Sequence, residues 1–110
     1  MNIHVTSRHF KAHQSLNEYA ERAVTEFLHY YDGIIKADVI LKYERARNSL
    51  KIAEVKVAVF NSVLAGIGKT DDFFKSIDAA AAKVLVQLKR YKEKLHAKDR
   101  KQVRRVREKV

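Results

Sequence analysis

Near the N-terminus Ile3 and Val5 alternate with His4 and Thr6, the period of two of a short, half-buried strand. The period then changes. From Gln14 to Tyr31 the apolar positions Leu16, Tyr19, Ala20, Ala23, Val24, Phe27, Leu28 and Tyr31 follow three-and-four spacing, with Glu18, Glu21, Arg22, Thr25 and Glu26 opposite. This predicts an amphipathic helix, because side chains three and four apart share one face. Ser15 and Glu18 are placed for a capping box, and Gly33 for a left-handed helix end.

A second alternation runs through Ala37, Val39, Leu41 and Tyr43 against Asp38, Ile40, Lys42 and Glu44, and predicts a strand. Arg45 to Ser49 supplies a polar turn, and Val55, Val57 and Val59 alternate with Glu54, Lys56, Ala58 and Phe60 in a β-branched run suited to a pleated surface. Asn61-Ser62 reads as a two-residue turn into a last strand, Val63 to Lys69, so the three strands form an antiparallel meander. In that strand Leu64, Gly66 and Gly68 are expected to face the core, since glycines under a packed helix allow close backbone approach.

Asp71 and Asp72 suit the positive end of a helix whose stripe is Phe74, Ile77, Ala80, Ala81, Val84, Leu88, Tyr91 and Leu95. Ending near Ala97, this helix would be roughly 40 Å long, about twice a typical strand, so its C-terminal half overhangs the sheet. Beyond it, Lys98 to Val110 offers only Val103, Val106 and Val110 to a core, and is expected as frayed helix or disorder in the free protein. The order β-α-β-β-β-α places both helices on one face of a four-stranded sheet, because each apolar stripe must be covered. The expected fold is α+β, a two-layer sandwich of the kind that double-stranded-RNA-binding domains use.

Length and composition agree with one core. The 110 residues suit a single domain, taken as 1–97, with 98–110 as a basic tail rather than a second domain. Proline is absent and the three glycines form no linker. The absence of cysteine removes disulfides and thiolate metal sites. No apolar run is long enough for a bilayer and no secretory signal opens the chain, so a cytoplasmic location is expected.

The net charge of +10 belongs to one segment. Residues 83–110 carry twelve Lys/Arg and three acids, net +9, whereas residues 1–82 carry eleven and ten, net +1. On the second helix Lys83, Lys89, Arg90, Lys92 and Lys94 surround the apolar stripe, and Lys83, Arg90, Lys94 and Lys101 recur at seven, four and seven residues as one row. A density of bases this high needs a polyanion, and such a row tracks phosphates. The tail has no aromatic anchors, which argues against a membrane partner. Duplex RNA, read through its shape, phosphates and 2′-hydroxyls, fits a sandwich with a basic edge, while Phe60 is the candidate stacking residue on the outer face of the meander.

Other chemistry is weakly supported. His9 and His13 stand four apart but ahead of the helix and without a carboxylate partner, so no metal site is expected. No Ser, His and Asp are spaced for nucleophilic catalysis, Asp72 and Asp78 fall on different helical faces, and Gly66-Ile67-Gly68-Lys69-Thr70 lacks the spacing of a phosphate loop. Neither an enzyme, nor a cofactor, nor a small-molecule substrate is expected.

The run Asp72-Phe73-Phe74, Ile77-Asp78, Lys83, Gln87-Leu88 and Lys92-Glu93-Lys94 resembles the second-helix signature of the ribosome hibernation promoting factors, also called ribosome-associated inhibitors or ribosomal subunit interface proteins. Val5-Thr6-Ser7-Arg8-His9, Leu16 to Tyr19 and Tyr30-Tyr31 are similar to the family's first strand and helix, so the likeness covers about residues 2–96. It implies the same fold and a protein that docks on the small ribosomal subunit, in the channel for mRNA and tRNA, contacts mainly rRNA, and inhibits translation in stationary phase or stress. Other hibernation factors are further partners that the resemblance allows.

Carried over by position, Lys42, Lys83, Arg90, Lys92 and Lys94 match the family's basic positions; with Lys89 they form the candidate RNA-binding set. Ala23 and Glu26 on the first helix, where the family often has lysines, and Val86 on the second, where it often has a base, depart from the pattern, so the candidate set takes no residue from the first helix. The chain looks like a short form, without the additional C-terminal dimerisation domain of long members. Relatives have also been titled modulators of an alternative transcription factor, a sigma factor, so a protein-interaction regulator is the rival expectation.

Overall fold

A computed structural model describes residues 2–44 and 47–108, and side-chain surroundings for residues 2–44 and 50–95. The elements are β1 (Asn2–Ser7), α1 (Gln14–Thr25), a 3-10 turn (Glu26–His29), β2 (Lys36–Glu44), β3 (Arg47–Val59), β4 (Ser62–Thr70) and α2 (Phe73–Glu108). The sheet order is β1-β2-β3-β4, with β1 parallel to β2 and the rest an antiparallel meander. The expected α+β sandwich is therefore the fold.

Alternation decides which face each strand buries. Ala37, Val39 and Leu41 of β2, Ala53, Val55, Val57 and Val59 of β3, and Leu64, Gly66 and Gly68 of β4 face the helices. Leu16, Ala20, Val24 and Phe27 come down from the first helical segment, and Phe73, Ile77, Ala80, Val84 and Leu88 from α2. The inward orientation of β4 is as expected, and for the expected reason. A Cβ built on Gly66 would lie 2.5 Å from the Ala80 carbonyl oxygen, and one on Gly68 would run into the Ser76 carbonyl. Side chains there would push α2 off the sheet.

The start of α2 is locked by hydroxyls. Asp72 Oδ1 accepts the Phe74 N–H at 2.9 Å, satisfying one orphan donor of the first turn. Ser76 is fully buried, and its Oγ donates to the Lys51 carbonyl at 2.7 Å while accepting the Thr70 N–H at 3.1 Å. One serine thus ties the helix to β3 and β4. Beside it Phe10, Tyr43 and Phe73 pack with ring centroids 5.0–5.2 Å apart, closing that end of the core.

Several local expectations are corrected. The capping box does not form: α1 begins after His13, without a side-chain cap, and Gln14 Nε2 donates to Glu18 instead. The α-helix stops at Thr25 and tightens into the 3-10 turn. Three residues per turn instead of 3.6 rotate the stripe, so Phe27 stays buried while Leu28 turns to solvent. Gly33 has no positive φ; the left-handed residues are His9 and Asn61. β3 already begins at Arg47, so the turn expected over Arg45–Ser49 is shorter and its residues 45–46 lie outside the described residues.

The second turn is Phe60-Asn61 rather than Asn61-Ser62, because Val59 pairs with Ser62; Phe60 is a turn residue, not part of the outer sheet face. Phe73, not Phe74, belongs to the buried stripe of α2, and Phe74 packs edge-on to Tyr19 at 5.0 Å. The helix runs to Glu108 rather than ending near Ala97. At 1.5 Å per residue it is about 54 Å long, against about 30 Å for a nine-residue strand. The overhang is larger than expected.

Candidate nucleic-acid interface

α2 meets the sheet beside β4, an edge strand whose outward backbone groups need partners. Three side chains on one flank of the helix supply them. Lys83 Nζ donates to the Ile67 carbonyl at 2.6 Å. Gln87 Nε2 donates to the Ala65 carbonyl at 2.6 Å, while its Oε1 accepts the Ala65 N–H at 3.1 Å. Tyr91 donates its hydroxyl to the Phe60 carbonyl at 2.8 Å. Burial first, then the neighbouring Tyr31 hydroxyl, raises the Tyr91 pKa above the ordinary phenol value, so this donor keeps its proton.

Lys83, Arg90 and Lys94 share that flank with Gln87, as spacings of seven and four residues dictate. Arg90 and Lys94 stand with Tyr91 along a shallow groove against Ser62, Val63 and Leu64. Lys89 and Lys92 occupy the opposite flank. Lys92 Nζ donates to the Tyr30 carbonyl at 3.0 Å, and Lys89 Nζ sits 5.4 Å from the centre of the Tyr30 ring. All five bases are exposed. Among the described residues the ion pairs are Lys56–Glu54 and Lys75–Asp71, so no carboxylate neutralises these five.

Lys42 is placed elsewhere. It lies on the outer sheet face, opposite the helices, where it pairs across the strands with Ile52, which in turn pairs with Lys69. Ile52 is only 7% exposed although it belongs to this outer face, flanked by the two lysine positions. Arg8, just past the end of β1, is exposed, and its backbone N–H donates to the Leu41 carbonyl next to Lys42. The structure thus gathers five of the six candidates along α2 and separates the sixth.

Tyr30, Gln87 and Arg8 enter the sequence reading only through the family likeness, and Lys69 only as the end of a strand and in a discarded phosphate-loop motif; none is given a place at the interface there. Charge counting passes over Gln87 and Tyr30, and which residue lies beside Lys42 depends on a register between distant segments. Exposed Val86 and half-buried Ala23 bring no charge where basic residues were looked for. The tail bases from Lys98 to Lys109, and the extension of the row to Lys101, lie outside the residues whose side chains are described.

The geometry offers fixed positive charge on a stiff support. Among the described residues no group of three or more His, Cys, Asp or Glu side chains is gathered as a metal site would need, and no helix is long and apolar enough to cross a membrane.

Comparison with known proteins places the chain in a family. The chain is 26% identical over 94 residues to a ribosome hibernation promoting factor of Pseudomonas putida, covering 86% of this chain and 89% of that one. It is 24% identical over 102 residues to the ribosome hibernation promotion factor of Bacillus subtilis, spanning 93% of this chain but about half, 54%, of that longer protein. The fold matches a ribosomal subunit interface protein from Coxiella burnetii with a TM-score of 0.76 at 24% identity, over 84% of this chain and 99% of that structure. It also matches the N-terminal domain of Protein Y from Thermus thermophilus with a TM-score of 0.72 at 24% identity, over 83% and 99%. The model of the family described as Sigma 54 modulation protein / S30EA ribosomal protein matches residues 3–96, from β1 into α2, and the chain belongs to that family.

Proposed function

We propose that this protein is a ribosome hibernation factor that binds rRNA of the small ribosomal subunit in the mRNA and tRNA channel and inhibits translation in stationary phase or stress. The carrying observation is the row Lys83, Arg90 and Lys94, exposed and without a carboxylate partner among the described residues, on a helix clamped to the sheet edge. Names of the Pseudomonas putida and Bacillus subtilis relatives support the same reading. The mechanism is occupancy. A rigid sandwich presents pre-positioned cations to phosphates, and its bulk excludes tRNA and mRNA; no bond is made or broken. Little ordering is needed on docking, because the strand edge beneath the bases is already satisfied by their own helix.

Stationary-phase lysate resolved on a sucrose gradient tests this. The protein is expected with small subunits or whole ribosomes at moderate salt; protein confined to the top of the gradient overturns the reading. The family description also names modulation of a sigma factor, which favours a second reading as a protein-interaction regulator. Salt separates the two, since phosphate neutralisation makes affinity fall steeply with ionic strength and an apolar-centred protein interface responds less.

A further inference from the structure

Phe60 is the most exposed large hydrophobic residue among those described, at 70%, and Val63, two residues past the turn, follows at 64%. Both belong to the β3–β4 hairpin tip, and neither contributes to the core. The tip is held rigidly. Val59 pairs with Ser62 across a two-residue turn, Asn61 takes the left-handed conformation (φ 62°) that asparagine tolerates, and Tyr91 anchors the Phe60 carbonyl at 2.8 Å. Its surroundings are cationic: Val63 forms one wall of the groove whose other wall carries Arg90 and Lys94.

A water-facing phenyl ring on a backbone-anchored turn, one step along the hairpin from a groove that carries two cations, calls for a partner with an apolar flat face and negative charge. A second copy of this chain brings the same +10 charge and is repelled. A paired RNA base keeps its faces within its own stack. An unpaired base has a free face for an aromatic ring and is attached to phosphates. Arg90 and Lys94, four residues apart on one helix flank, have Cβ atoms about 5–6 Å apart, so they can engage neighbouring phosphates of one strand.

Resting on the RNA-binding reading above, we propose that the β3–β4 hairpin tip is a single-strand site, in which Phe60 stacks on an unpaired base while Arg90 and Lys94 hold the adjoining phosphates. It adds to the phosphate row a contact that distinguishes unpaired RNA from duplex. Stacking needs no hydrogen-bond readout, so the site takes any base.

The chain contains no tryptophan, so Phe60→Trp in the full-length protein gives a single indole reporter. Its emission is expected to be quenched saturably by a short oligouridylate and to be unaffected by a blunt RNA duplex. Phe60→Ala is expected to weaken oligouridylate binding about 5- to 150-fold, the range for losing one base–aromatic stack, and to leave duplex binding unchanged. Phe60→Tyr should restore the affinity and Phe60→Leu should not. Wild-type affinity in Phe60→Ala, full rescue by leucine, or a Phe60→Ala effect confined to self-association in sedimentation velocity would each overturn the site. If small subunits still bind the Phe60→Ala protein and oligouridylate affinity is unchanged, stacking alone is refuted. If the wild type binds neither, the RNA-binding reading falls as well.

Discussion

The side-chain amide of Gln87 meets both outward backbone groups of Ala65, donating to its carbonyl at 2.6 Å and accepting its N–H at 3.1 Å. One helix residue thereby does what a further strand would do, and the β4 edge is closed to pairing with another chain. Gln87→Leu keeps the volume and removes both hydrogen bonds. It is expected to cost about 1–2 kcal/mol in urea unfolding and to promote self-association at high concentration, since the edge becomes a template. An unchanged urea midpoint would show that water replaces the amide without penalty.

The phosphate row makes a quantitative demand. Lys83→Glu combined with Arg90→Glu should abolish co-sedimentation with small subunits while leaving the circular dichroism spectrum intact, because exposed charge changes rarely exceed about 0.5 kcal/mol and the lost Lys83 hydrogen bond to the Ile67 carbonyl adds only about 1 kcal/mol. The milder Lys83→Ala with Arg90→Ala should flatten the plot of log affinity against log salt by about two units, one per lost phosphate contact. Unaltered co-sedimentation of the charge-reversed protein would remove this flank from the binding surface.

Gly68 lies under the first turns of α2, where an added Cβ would collide with the Ser76 carbonyl and sit 3.0 Å from the Ala80 nitrogen. Both are backbone atoms of a packed helix and cannot swing aside. Gly68→Ala is expected to destabilise the protein by about 1–3 kcal/mol, the usual cost of overpacking. Calorimetry reads this directly, and an unshifted melting temperature would mean that α2 rides more loosely on β4 than its contacts imply.

Tyr19 donates to Asp78 Oδ1 at 2.6 Å, joining α1 to α2. This hydrogen bond to the carboxylate, followed by desolvation and the negative charge, raises the Tyr19 pKa above the ordinary phenol value. A proton held more tightly in the folded than in the unfolded state gives stability that is present below the unfolded pKa, about 10, and is lost as pH rises through the folded pKa. Tyr19→Phe, which keeps the packing on Phe74, is expected to cost about 0.5–1.5 kcal/mol near neutrality, with the difference from wild type narrowing in alkaline solution. A pH-independent difference would assign the effect to packing alone.

Much of the fold was legible because it is written in local periodicity. Ala37, Val39 and Leu41, then Val55, Val57 and Val59, announce strands whose buried face follows from alternation, and Ile77, Ala80, Val84 and Leu88 announce the stripe of α2. The five bases of α2 were legible too, since their flanks follow from 3.6 residues per turn. Boundaries were less so. Ser15 and Glu18 carry the side chains of a cap and Gly33 the backbone freedom of a stop, yet tertiary packing draws the chain through a 3-10 turn that buries Phe27 and frees Leu28.

Contacts between distant segments belong to the tertiary structure alone. That Gln87 reaches Ala65, Tyr91 reaches Phe60, and Lys42 faces away from the helix bases depends on strand register and on where α2 crosses the sheet. Neither quantity has a local signature in the sequence, because each is settled by whichever arrangement buries all the stripes at once. Residue order alone makes this an α+β sandwich with a strongly basic second helix; folding turns that helix into the cover of a strand edge and sets Arg90 and Lys94 along a groove against the strand that follows the Phe60 turn.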